Sequence, residues 1–225
     1  MHSRRRRSAL AVSAALLVGA PLLTACGQEA HPGAAAVMKG DRISTGALQG
    51  RVEAVRTAQR SAPQSEQMIS GSGQLTRAKL DGMLRDRIVA KAAEDAKVSV
   101  SRGEIQRTRA ELAKQAGGRE QLEVMLLQQQ GVAPDEIDDR IRMQLAVDKI
   151  ARKAGIDPRS PQGNAQLNAE LAKTSEAMGI DVNPRFGTWD AKKATLSSTT
   201  EPWLQDLSAK QADRAAQQQQ GAIPQ

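Results

Sequence analysis

Apolar and polar positions alternate along this chain with a mostly helical rhythm. Leu48, Val52 and Val55 recur at spacings of four and three within residues 46–60, which predicts one amphipathic helix. Leu80, Met83, Leu84 and Ile88 mark a second over 75–97, with Arg, Asp and Lys on its other faces. Ser101 followed three residues later by Glu104 is a capping-box pattern, so a helix should begin at 102 and run to about 115, with Ile105 and Leu112 as its apolar contacts. Gly117 and Gly118 end that helix, and residues 119–131 form another, closed by Gly131. Over 133–155, Pro134 suits the first helical position and Asp135 and Glu136 suit the positive helix end. Ile137, Ile141 and Leu145 repeat every four residues, and Gly155 stops the helix. Ser160 before Pro161 starts a last helix, to about 178.

The remaining stretches are short. Residues 34–44, AAAVMKGDRIS, read as a small hairpin or strand-turn, with Ser44 or Thr45 capping the next helix. Pro, Ser and Gly concentrate in 61–74, which reads as a loop. Residues 179–190 read as an extended segment or turn. The tail, 206–225, is rich in Gln and Ala and low in complexity. A foldable body over 34–205, about 170 residues, suits one domain.

The N-terminus has a different pattern. Arg4–Arg7 form a dense positive patch, and residues 9–23 are uncharged and apolar. That run falls short of the roughly 20 residues a spanning helix needs. Charge, a short apolar run and then small residues is the layout of a secretory signal, here 1–25. Leu23, Thr24, Ala25 and Cys26 resemble the lipobox of bacterial lipoprotein precursors. The resemblance implies cleavage before Cys26 and diacylglycerol on its sulfur. Two acyl chains hold a protein stably where one does not. The alternative is an ordinary signal with an incidental thiol. Residues 26–33 would then be a lipidated cysteine and tether, and the protein would lie on the extracytoplasmic face of the cell membrane.

Composition narrows the chemistry. The net charge of +7 falls to +3 once residues 1–25, with four arginines and no acids, are removed. The body therefore lacks the clustered basic face of a nucleic-acid binder, and Phe186, Trp189 and Trp203 are its only aromatics. A body built from Ala, Leu, Val, Ile and Met favours a mainly α fold. The two histidines, His2 and His31, lie in the signal and the tether, so the body offers no Ser-His or Cys-His pair and no His-bearing zinc site. The carboxylates at 135–136 are explained by the helix dipole. No cofactor, metal or enzymatic activity is expected. Met83, Met125 and Met143 are adaptable side chains of a kind used on promiscuous binding surfaces, although methionines at helical spacing also suit a core.

Three stretches in order, 34–48, 80–105 and 119–150, resemble the N-terminal chaperone region of SurA-type periplasmic chaperones and PrsA-type foldase lipoproteins. The resemblance spans about 34–154 and lies in helix lengths, caps and apolar spacing. It implies a helical domain with a small two- or three-stranded β element joining the N- and C-terminal segments. Residues 182–189 would return beside 34–43, with Phe186 and Trp189 as closing aromatics. It also implies a groove for unfolded, newly exported polypeptide, with Met83, Leu84, Met125 and Met143 as candidate contacts. The parvulin prolyl-isomerase domain carried by many relatives is not expected after Gly155. The other reading is a scaffold lipoprotein with one dedicated partner.

Overall fold

The computed structural model describes residues 32–62, 65–70 and 74–198. The expected lipobox Leu23–Cys26, Trp203 and the tail lie outside the described residues. The chain begins with β1 (Ala34–Met38) and β2 (Asp41–Ser44), and four helices follow: α1 (Thr45–Ser61), α2 (Ser65–Ser70), α3 (Leu75–Asp95) and α4 (Arg102–Ala116). Next come α5 (Arg119–Gln130), a 3-10 turn (Pro134–Glu136), α6 (Ile137–Lys153) and α7 (Pro161–Met178). Three short strands close the order: β3 (Asp181–Val182), β4 (Thr188–Asp190) and β5 (Thr195–Ser197). The fold is therefore mainly helical, with small antiparallel sheets.

The β element ties the two ends of the domain together. β1 and β2 pair as an antiparallel hairpin with Val37 opposite Arg42 and Met38 opposite Asp41. Gly40, at φ +77°, supplies the left-handed conformation that this two-residue turn needs. On its other edge β1 receives β3, with Ala36 opposite Val182. The Asn183 backbone N–H then donates to the Ala35 carbonyl at 3.0 Å. Phe186 and Trp189 pack, half-buried, against the core beneath this sheet, and Trp189 Nε1 donates to Ser175 Oγ on α7 at 3.0 Å.

Local signals in the sequence set the helix starts. Ser44 accepts from the Ala47 N–H, and Ser160 from the Gly163 N–H, each at 3.0 Å. At α4 the capping box is complete: Ser101 Oγ accepts from the Glu104 N–H, and Glu104 accepts from the Ser101 N–H. Two segments differ from the sequence reading. The loop 61–74 contains α2, a helix with no buried residue and hence no apolar stripe to announce it. Pro134 opens a 3-10 turn rather than α6 itself, because Glu136 turns inward to accept the Ala133 N–H at 3.0 Å.

Apolar side chains gather in four small cores rather than one. The first joins Ala36, Ile43, Leu48, Leu80, Leu84 and Val182. The second joins Val89, Ala92, Ala146, Ile150 and Leu167, and the third joins Ile105, Leu122, Leu126, Ile137 and Ile141. The fourth joins Val55, Leu75, Leu127 and Ala133. α3 contributes to the first, second and fourth, so it is the spine of the domain.

Candidate functional site

The buried stripe of α3, Leu80–Leu84–Ile88, faces the cores. A second stripe on the same helix, Leu75, Lys79, Gly82, Asp86, Val89 or Ala90, and Ala93, also recurs every three or four residues and so shares one face. Three hollows follow that face. The first, about 520 Å³, is walled by glutamines, including Gln59, Gln67, Gln74 and Gln128. It shares Leu75, Ala78 and Gln130 with the second, about 360 Å³, which is lined by Met83, Val132 and charged residues. The second shares Arg51, Asp86 and Asp139 with the third, about 310 Å³, where Val89, Val98, Val100, Met143 and Ala146 make an apolar wall. From Leu75 to Ala93 the groove floor is about 27 Å long at 1.5 Å per residue. About eight residues of extended polypeptide match that length.

The waist between the second and third hollows is charged, and most of its charges are paired. Glu136, 7% exposed, receives Lys79 at 2.5 Å and Arg51 at 3.1 Å. Arg51 also reaches Asp139 at 3.3 Å, and Arg142 pairs with Asp139 from the solvent side at 2.5 Å. Burial works against the Arg51 charge, but its bond to Asp139 and the nearby Glu136 carboxylate raise its pKa overall. Asp86 differs from its neighbours. It is exposed and lines both the second and the third hollow. Its neighbouring atoms desolvate it enough to raise its pKa, opposed by Arg51 and reinforced by Asp139.

Two of the four methionine and leucine positions expected to contact polypeptide line the groove. Met83 lines the second hollow and Met143 the third, each half-buried. Met125 packs on the third core, away from the groove. Leu84 requires a correction. It is 0% exposed and points into the first core, so it holds the fold and presents no surface to a ligand. Asp86, Gly82, Val98 and Val100 were not singled out from the sequence. The only signal for Gly82 and Asp86 was the second periodic stripe of α3, whose polar members read as a solvated face, while Val98 and Val100 follow α3 in an irregular segment with no periodicity.

Among the described residues no cluster of His, Cys, Asp or Glu could hold a metal ion, and no helix is long and apolar enough to cross a membrane. A family model described as the SurA-like N-terminal domain matches residues 4–151, about two-thirds of the chain. The chain belongs to the SurA-like N-terminal domain family. No parvulin domain is detected in it. No curated protein and no solved structure matches it. The match places this SurA-like domain in a chaperone-related family, whose members in general bind unfolded client proteins. It covers β1 through most of α6, and with them every groove-lining residue named above.

Proposed function

We propose that this SurA-like protein is a lipid-anchored, extracytoplasmic chaperone that binds unfolded exported polypeptide along α3 and has no prolyl-isomerase or other enzymatic activity. The observation that carries this reading is the run of three adjoining hollows over one helix face. Its length suits an extended segment, and its walls are sequence-tolerant. Methionine adapts to many shapes, glutamine amides can meet a peptide backbone, and the apolar wall rewards burial of any aliphatic side chain. Cys26 and its flanks support the anchor, and the signal-like N-terminus supports export.

Gly82 allows a direct test. It lies mid-helix on the groove floor, and a Cβ there would meet nothing within 4 Å. Gly82→Leu should therefore leave the fold intact, with α3 more stable by helix propensity, while filling the central hollow. Suppression of aggregation of a denatured client should fall several-fold relative to the parent chain. Equal protection by parent and variant sinks the groove reading. For the anchor, Cys26→Ala should move the protein from the membrane fraction to the soluble one.

A further inference from the structure

Asp86 makes no hydrogen bond or ion pair with any described residue, although it sits where two hollows of the groove meet. The other carboxylates of the groove are all engaged. Asp81 holds Arg85 at 2.8 Å and accepts the Leu196 N–H, while Glu136 and Asp139 hold Lys79, Arg51 and Arg142. The nearby cations are engaged as well: Arg87 pairs with Asp41, and Arg140 donates to Gln130. Asp86 is thus the one groove carboxylate that is exposed yet has no hydrogen bond or ion pair among the described residues, with Arg51, Arg87 and Arg140 attracting it only at longer range. One turn before it, Gly82 leaves open space above the helix, where an added Cβ would meet nothing within 4 Å. Directly after it the wall turns apolar, with Val89, Val98, Val100 and Met143.

We propose that the groove selects extended client segments with a lysine or arginine between apolar side chains, the cation meeting Asp86 and the next apolar residue entering the Val89–Met143 hollow. This rests on the groove being the client site. A long basic side chain suits both parts of the subsite, because its methylene stem covers apolar surface while its head keeps to the charge. A charge-assisted contact to a carboxylate is stronger than a neutral one. The anionic alternative would have to displace Gln130 from Arg140 and then lie beside Asp86 and Asp139.

The test uses the full chain in detergent and three fluorescent nine-residue peptides of alternating leucine and serine, with a central lysine, glutamine or glutamate. By fluorescence anisotropy the lysine peptide should bind about tenfold more tightly than the glutamate peptide, with glutamine between. Asp86→Asn should bring the lysine and glutamate affinities to within about twofold of each other. Asp86→Lys should invert the order. Asp86 makes no contact in the fold that either change removes, and unchanged melting temperatures would verify that. Equal binding of all three peptides to the parent chain, a glutamate preference, or a lysine preference that survives Asp86→Asn overturns the charge selection and leaves the groove standing. Binding of none of the three overturns the groove reading, and the selection with it.

Discussion

Glu136 joins three elements through one carboxylate, and its removal has a calculable cost. Lys79 on α3 and Glu136 are both largely out of water, with side chains 13% and 9% exposed. Removing one partner of a buried ion pair strands the other and costs about 3–5 kcal/mol. The Arg51 arm is 39% exposed, so water screens it and it adds at most about 1 kcal/mol. The Ala133 N–H loses its acceptor, another 1 kcal/mol or so. These losses overlap in one carboxylate, so Glu136→Ala should cost about 4 kcal/mol, a large part of the 5–15 kcal/mol typical of a domain. Lys79→Met leaves Glu136 with Arg51 and the Ala133 N–H, and should cost only about 1–2 kcal/mol. The double variant Lys79→Met/Glu136→Ala buries no charge and should lie within about 2 kcal/mol of the parent, well short of the additive value. Urea unfolding followed by circular dichroism reads all four proteins, with comparable slopes licensing the comparison. A Glu136→Ala cost below about 1 kcal/mol, or strict additivity in the double variant, refutes the claim that this pair is buried and coupled.

Three further outcomes follow from single contacts. Lys149 and the Ser101 backbone and hydroxyl hold Glu104 down to a pKa of about 2 from an ordinary 4.5. Its contribution to stability is therefore whole above about 4.5 and is lost as the pH falls towards about 2. Denaturation midpoints of the parent and Glu104→Gln should thus differ most at neutral pH and converge across that window. Gly163→Ala would push a Cβ into the Asp157 carbonyl and the capping Ser160 hydroxyl at the start of α7, outweighing its gain in helix propensity. It should cost about 1–2 kcal/mol, read as a lower melting temperature. Trp189→Phe removes the donor to Ser175, which is 0% exposed, and should cost about 1–2 kcal/mol by urea unfolding. Adding Ser175→Ala should recover part of that loss, because no buried hydroxyl is then left unmatched.

The helical frame was legible because its signals are local. Ser44, Ser101 with Glu104, and Ser160 each cap a helix within three residues of themselves, and Gly117 and Gly131 end helices by their own conformations. What escaped has no local signal. α2 buries nothing, so its sequence has no periodicity to read. The strands of the β4–β5 hairpin are three residues each, too short for alternation to show, and the segment is held by Asp81 from α3, more than a hundred residues earlier. The groove escaped for a related reason. Arg51, Asp86 and Asp139 come from three helices, and only the packing of α1 and α6 on α3 brings them to one waist. Leu84 shows the converse error. It shares a periodic stripe with Met83, yet one step around the helix separates a half-buried groove wall from a fully buried core position.

The division of the core explains why a groove exists at all. One large core would draw the helices together around a common centre and close the seams between them. Here α3 gives Leu80 and Leu84 to one core, Val89 and Ala92 to another, and Leu75 to a third. The helices packed on it therefore meet it at separate points along its length, and the face between those points is left uncovered. Small residues widen the gap: Ala78, Gly82, Ala90 and Ala93 line it where larger side chains would have filled it. Much of α3's stability therefore comes from its Leu80–Leu84–Ile88 face and its ligand surface from the other. Deepening the groove by truncating Met83 or Met143 should thus disturb binding more than folding, while Leu84→Ala should do the reverse, at about 2–5 kcal/mol of stability.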